Sequence, residues 1–350
     1  MAIEQNIVSI VGATGAQGGS VARSLKQNPH FEVRCITRDT NSPGAKALMN
    51  EGFNVIKADG ANAEEMERAL AGSWGAFINV ATEGQEFDIA VALQRSILSS
   101  AAAAGVKHVV FSSAPDARKL TAGRAPVPNL DVKAQAAEWG DACPVFETFT
   151  PVMLSWYLEN FEHPILAELL GGFPIHEDQD GYLSCRVPLW GGEEEVPFIS
   201  VKDDFGDLVH GVFLNPVRWN RAVIQCNGEL MSWADMVQAY VAGKNSSFCG
   251  LLATNQLKGT QKTANGIIVT GKKARFMPYI PAEEMPTFEC GGIQDLFIYS
   301  QLRGGDYYGN GPSETRTACQ LKRDAWKAKG RKGRETMMTV REYFERLHVS

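Results

Sequence analysis

An apolar run, Ile7 to Val11, leads directly into three glycines spaced three apart, Gly12, Gly15 and Gly18, within the segment VSIVGATGAQGG. Such a β-branched run suits a strand buried on both faces. Gly12 permits a tight turn, Gly15 lets backbone amides approach an anion, and Gly18 lets a following helix pack close to the sheet. That helix, expected over Ala16 to Gln27, aims its unpaired amides and the positive end of its dipole at a phosphate. Residue 13 is alanine, so the spacing departs from G-x-G-x-x-G. With a strand before, a helix after and a second strand over Phe31 to Thr37, the expectation is a dinucleotide pyrophosphate site rather than an ordinary packing turn.

The second strand ends in Arg38, followed by Asp39, with Arg34 four positions earlier. Selectivity for the unphosphorylated cofactor usually needs an acid here, on the ribose hydroxyls. An arginine can instead fork onto a 2'-phosphate and stack on adenine, which favours NADP(H) over NAD(H). The plainer alternative is a solvated arginine beside Asp39.

Strand and helix candidates then alternate: helix Pro43 to Asn50, strand Asn54 to Lys57, helix Ala63 to Leu70, strand Ala76 to Val80, helix Phe87 to Ala104. Strand His108 to Ser112, a helix near Leu130 to Trp139 and strand Val145 to Thr150 complete the series. This order predicts an α/β fold, a doubly wound, Rossmann-like parallel sheet, because helical crossovers are how parallel strands connect. Residues 1–150 are expected to form the NADP(H)-binding unit. Past Thr150 the rhythm gives way to proline- and glycine-rich connections, and residues 151–350 are expected to be a smaller, mainly substrate-binding region that can return strands or helices to the main unit.

Composition narrows the class. The 350 residues are 44% apolar with 34 glycines, which fits a compact α/β protein, and no apolar run approaches a membrane span. The start, MAIEQNIVSIVG, lacks the basic, apolar and cleavage regions of a secretory signal, so the cytoplasm is expected. The seven cysteines show no C-x-x-C pair and read as buried or isolated thiols. No histidine cluster argues for a metal. A formal charge of −6 disfavours nucleic acid. The basic run from Lys322 to Arg334 reads as a solvated loop, or as a surface for a protein partner.

Ligands on such a sheet lie beyond the carboxyl ends of its strands. Asn79 to Glu83, Ser112 to Asp116 and Thr150 to Met153 meet that condition. Thr82, or the backbone around Val80 and Ala81, can border the cofactor ribose. Ser112 and Ser113 can bind a substrate oxygen, or simply cap the strand end. Asn129 and Lys133, four apart, share a helix face. Lys133 can bond the nicotinamide ribose and stabilise a developing oxyanion. Asn129 cannot serve as tyrosine would in proton transfer. Tyr157 and Asn160 lie one turn apart, the tyrosine as a substrate-contacting cleft residue or a core residue and the asparagine as a residue that fixes a loop. Asp203 is expected to cap a helix over Phe205 to Leu214. Trp190, Trp233, Tyr299, Tyr307 and Tyr308 are candidate walls for a flat metabolite.

These segments carry a resemblance. GATGAQGG, Arg38, SSA at 112–114, NLDVK at 129–133 and YLENF at 157–161 resemble the NmrA-like family of atypical short-chain dehydrogenase/reductase proteins, and DLFIYSQLRGGDYYG at 295–309 is more distantly similar to its C-terminal region. The resemblance implies NADP(H), with Gly12, Thr14, Gly15, Gln17 and Gly18 around the pyrophosphate and Arg38 at the phosphorylated ribose. It also implies Lys133 near the nicotinamide and residues 157–161 near the cleft. Members resemble both NADPH-dependent reductases and cofactor-sensing regulators. The chain has Asn129-x-x-x-Lys133 where ordinary short-chain dehydrogenases have Tyr-x-x-x-Lys, and NLDVK lacks the histidine and aromatic start common in this family segment. The leading expectation is an NADPH-dependent reductase of a small, partly aromatic metabolite, with a carbonyl, imine or activated alkene as the acceptor and a place in secondary metabolism. The alternatives are an NADP(H)-sensing regulator with a protein partner and no turnover, and a non-redox cyclase or isomerase drawing on acids such as Glu83, Glu289 and Asp295. Oligomeric state stays open.

Overall fold

The computed structural model describes residues 5–82, 84–249, 261–263, 266–268, 273–286 and 292–347. The expected alternation forms: β1 (Asn6–Val11), α1 (Ala16–Lys26), β2 (Phe31–Thr37), α2 (Pro43–Asn50), β3 (Asn54–Lys57), α3 (Ala63–Leu70), β4 (Gly75–Ile78), α4 (Phe87–Ala103) and β5 (His108–Ser113). A short α5 (Ala117–Leu120), then α6 (Pro128–Ala142) and β6 (Thr148–Leu154) follow. Helix α6 begins two residues before the expected start, because Pro128 supplies a preset first-turn φ. Strand β6 runs through Pro151, which lies just outside the stretch paired with the strand Ile224–Cys226, where a missing donor costs least.

Beyond β6 come β7 (Trp156–Tyr157), α7 (Pro164–Leu169), β8 (Tyr182–Cys185), β9 (Val196–Ile199), α8 (Gly206–Leu214), β10 (Ile224–Cys226), β11 (Glu229–Met231) and α9 (Trp233–Cys249). Strands β12 (Gln261–Thr263), β13 (Gly266–Ile268) and β14 (Lys273–Phe276) precede α10 (Ile293–Leu302), α11 (Arg316–Ala328) and α12 (Val340–Leu347). The central sheet has seven parallel strands in the order β10-β6-β5-β4-β1-β2-β3. Strand order reverses between β1 and β4, so their carboxyl ends open the crevice in which a doubly wound sheet holds its ligand. One face of the sheet buries Val8, Ile10 and Val33 against residues of α1, α8 and α11; the other buries Val11, Ile36 and Ile78 against α3, α4 and α6. Smaller sheets, β11-β9-β7 and β12-β13-β14-β8, build the second region around Trp156, Trp233, Phe297 and Tyr240. No helix among the described residues is long and apolar enough to cross a membrane.

Two expectations are corrected here. The basic run is not a solvated loop at its start: Lys322 belongs to α11 and is fully buried, with its Nζ 2.7 Å from Asp204 and 3.3 Å from Asp207. Lys329 is also buried, 2.6 Å from Asp207. Ala318, Leu321, Lys322 and Ala325 share the buried face of α11, and the lysine is tolerated there because carboxylates receive it. Likewise Asp203 is not the helix cap. Ser200 takes that position and accepts from the Asp203 N–H, a π-helical turn over Val201–Phe205 leads into α8, and the Asp203 carboxylate pairs with Arg346 at 2.8 Å.

Candidate functional site at the sheet's carboxyl edge

The glycines differ in what requires them. Gly12 adopts φ +78°, and a Cβ there would lie 2.4 Å from the Asn79 carbonyl oxygen. A Cβ on Gly18 would lie 2.3 Å from the Gly12 carbonyl oxygen. Both positions exclude a side chain, the first by turn geometry and contact, the second by helix packing. At Gly15 a Cβ would meet nothing closer than 3.5 Å, so this glycine keeps an open approach rather than relieving a clash. Gly15 is also the N-cap of α1, and no side chain caps that helix. The result is a cradle of first-turn amides without a competing protein oxygen, suited to a pyrophosphate.

Thr14 stands exposed at the rim of this turn, and Arg38 is exposed one residue past β2. Arg34 is engaged elsewhere: its Nη1 donates to the carbonyls of Ala69 and Ala71, both at 2.8 Å, closing the end of α3. Gln17 is buried, and its Nε2 donates to the Tyr157 hydroxyl oxygen at 2.7 Å, while its Oε1 is buried with no hydrogen-bond partner. Helix α1 thus touches the second region through this pair.

Lys133 lies where several strand ends converge. Its Nζ donates to Asn79 Oδ1 at 3.0 Å, and to the Ser112 carbonyl and hydroxyl oxygens, both at 3.3 Å. Thr82 is buried in the segment after β4. Asn79 was legible only as part of a strand-end segment; the signal was an amide directly after the apolar strand GAFI, and its carbonyl is the group that abuts Gly12. Asp131 was also missed. It is buried two residues before Lys133, and its carboxylate accepts from the Arg118 and Val127 backbone N–H groups at 2.9 and 3.0 Å. Burial pushes its pKa up, against those two hydrogen bonds, and the contacts fasten the 118–127 loop to the start of α6. Asn129 is exposed.

Beside Tyr157 opens a cleft of about 210 Å³. Trp156, Asn160, Trp190, Ile293 and Tyr307 are among its walls. Of the aromatic candidates, Trp190 and Tyr307 reach it; Trp233, Tyr299 and Tyr308 pack the core behind. The Tyr299 hydroxyl donates to the Tyr307 carbonyl at 2.6 Å and the Tyr307 hydroxyl to the Leu154 carbonyl at 3.2 Å. Burial holds both phenols above their ordinary pKa, so they stay neutral. Glu159 anchors the YLENF segment, accepting from the Ser200 hydroxyl and the Val201 and Lys202 N–H groups at 2.9 to 3.0 Å.

Of the acids considered for non-redox chemistry, the structure describes Asp295 alone. Asp295 is half-buried in the first turn of α10, and Glu83 and Glu289 lie outside the described residues. Cys35, Cys185 and Cys226 are buried free thiols, with burial pushing Cys35 up to about 12. Cys290 and the side chain of Cys249 lie outside the described residues.

The sequence profile of the NmrA-like family matches residues 4–256. Two curated proteins are similar over nearly the whole chain. The NmrA-like family domain-containing oxidoreductase himF of Aspergillus japonicus is 44% identical over 344 residues, 95% of each chain. The corresponding oxidoreductase FrzB of a Cladobotryum species is 39% identical over 362 residues, 98% of each. Among solved structures, NmrA, a negative transcriptional regulator in complex with NADP, superposes with a TM-score of 0.70 at 18% identity, covering 99% of this chain and 96% of that one.

Proposed function

The chain belongs to the NmrA-like family, and from that premise we propose that it is an NADPH-dependent reductase of a small, partly aromatic metabolite. Support comes from relatives named as oxidoreductases and from the glycine turn at Gly12, Gly15 and Gly18, which opens onto a helix start with no side-chain cap among the described residues. In this reading Gly12, Thr14, Gly15, Gln17 and Gly18 hold the pyrophosphate, Arg38 the 2'-phosphate, Thr82 a ribose and Lys133 the nicotinamide ribose. The reduced nicotinamide, when bound, supplies a hydride to a carbonyl, imine or activated alkene.

The chain's own residues do the rest. Lys133, held by Asn79 and Ser112, orients the nucleotide and places positive charge where oxyanion character develops. The Ser112 hydroxyl accepts from that ammonium and positions the substrate oxygen. Tyr157, whose phenol oxygen is fixed by Gln17, donates the proton that completes the reduction, in place of the tyrosine that Asn129 replaces. Trp156 and Trp190 help to wall the adjoining cleft from water.

The observation that carries this reading is the convergence of Lys133, Asn79 and Ser112 on the glycine turn, since the Asn79 that receives the lysine is the residue packed on Gly12. The test is incubation with a native metabolite pool and NADPH, following cofactor oxidation and product mass together. Stoichiometric loss of NADPH with product supports the reductase. Product without that loss supports non-redox catalysis instead. One observation favours a second reading, an NADP(H)-sensing regulator: Asn129 stands exposed at the tyrosine position. No product, but a partner complex that changes with NADP(H), would establish it.

A further inference from the structure

Among the described residues, no aspartate, glutamate, lysine, arginine or histidine lines the cleft beside Tyr157. Its walls are rings and aliphatic chains, among them Trp156, Trp190, Leu166 and Leu296. A carboxylate or ammonium entering it would lose its hydration with no counter-charge among the described residues to replace it. At about 210 Å³ the space exceeds the roughly 150 Å³ that holds a benzene ring, which leaves room for a two-ring group.

The three hydroxyls on this wall are committed. Ser155 Oγ donates to the Cys226 carbonyl at 3.2 Å, Tyr307 to the Leu154 carbonyl at 3.2 Å, and Tyr157 is held by Gln17 at 2.7 Å. The indole N–H groups of Trp156 and Trp190 are sealed from solvent and have no hydrogen-bond partner among the described residues. Asn160 is different. It is half-buried and lines the cleft, and among the described residues its side-chain amide makes no hydrogen bond to protein. Its backbone is fixed, since its carbonyl accepts from the His163 N–H and the preceding residue, Glu159, is anchored to the 200–202 turn. An amide offers one acceptor and two donors, and in an apolar pocket such a group sets orientation and specificity.

We propose that this cleft receives a neutral, ring-bearing end of the substrate, and that Asn160 selects it by hydrogen bonding to an uncharged polar group on the ring, such as a phenol hydroxyl, a lactam or a ring N–H. The inference rests on the reductase reading only in naming the occupant a substrate. The hydride acceptor then lies at the other end, toward Lys133, and the Gln17–Tyr157 hydrogen bond marks the boundary between the two parts of the site. Asn160 is a specificity residue here, with no part in the bond-making steps.

The test is calorimetric titration of the full-length, cofactor-free protein with four probes of one size: 2-naphthol, naphthalene, 2-naphthoate and 2-naphthylmethylammonium. Because no turnover is measured, the outcome is separate from that of the NADPH experiment. Binding of 2-naphthol should be about fivefold tighter than naphthalene, the size of one neutral hydrogen bond, and at least about tenfold tighter than either ion. In Asn160→Leu the preference for 2-naphthol over naphthalene should vanish while naphthalene binding is kept. Asn160→Ala, with a smaller side chain, provides the same comparison if the leucine disturbs the fold. Equal or tighter binding of 2-naphthoate or the ammonium overturns the neutral cleft. An unchanged naphthol preference in a folded Asn160 variant overturns the assignment of that residue, and failure of all four probes to bind overturns the ring site itself.

Discussion

Among the described residues, the Lys133 ammonium donates to oxygens of Asn79, just past β4, and of Ser112 in β5, whereas the lysine itself is carried by α6. Three elements therefore set one cation, and its removal should cost chemistry before it costs folding. Lys133→Met, which keeps the apolar stem, should lower kcat by about 100-fold or more, in line with loss of one preorganised electrostatic group, while the far-UV spectrum stays as in the parent. Unchanged turnover would remove Lys133 from the mechanism. Arg38 is tested separately, because it is exposed at the far side of the crevice. Arg38→Ala should weaken NADPH by about tenfold or more and leave NADH nearly unaffected, the size of a lost charge-assisted phosphate contact. Equal cofactor preference in variant and parent, measured by nucleotide fluorescence, would sink the 2'-phosphate assignment.

Helices α1, α8 and α11 meet at a buried polar network that no local motif advertises. Ser24 of α1 donates to Asp207 of α8 at 2.5 Å and lies 3.1 Å from His210 Nδ1, and Asn28 lies 3.0 Å from His210 Nε2. Since the Asn28 Nδ2 can only donate, Nε2 must accept, and the ring is the neutral tautomer protonated on Nδ1. Burial lowers its pKa to about 4 from an ordinary 6.5, and the Asn28 donor opposes protonation in the same direction. The unfolded chain then binds a proton on this histidine between pH 6.5 and 4 that the native state refuses, so stability falls as pH drops through that window and is unaffected above it. The loss should reach about 3 kcal/mol, and His210→Gln should flatten this part of the denaturation-midpoint profile relative to the parent. Parallel pH profiles for the two proteins would refute the assignment. The same elements show what the sequence made legible. The glycine spacing and the strand alternation announce the sheet, because they are local patterns with a fixed period. Lys322 was hidden because a basic run looks solvated one residue at a time, although its phase with Ala318, Leu321 and Ala325 places it inward. Asp204 and Asp207, its partners, lie more than a hundred residues away in sequence, and only tertiary packing reveals them. Asn79, Glu159 and Asp131 were missed for a related reason: each acts by holding another segment, and a single sequence does not name that segment.

At the scale of the molecule, one core crosses the boundary expected near residue 150. Strand β10 pairs with β6 and completes the sheet from the second region, and α8 and α11 cover the face that Val8, Ile10 and Val33 present. Val209, Val212, Phe213 and Leu321 are buried in that layer, so a chain ending at residue 150 would leave the same face of β1 and β2 covered only in part, by α1. It would also lose Asp207, His210, Lys322 and Lys329, leaving Ser24 of α1 and Asn28 just past it without their buried partners. The expected outcome is that residues 1–150 alone show no cooperative thermal transition, while the full chain unfolds in one transition across both regions. NADP⁺ at about 100 times its dissociation constant should stabilise that whole transition by roughly 3 kcal/mol, because α1, on which the proposed nucleotide site rests, is packed into both regions. Calorimetry with and without NADP⁺ checks both statements. A fragment 1–150 that unfolds cooperatively and gains stability from NADP⁺ would show that the nucleotide-binding half is an independent domain, and the shared α1–α8–α11 layer would then be an interface between finished units rather than part of a common core.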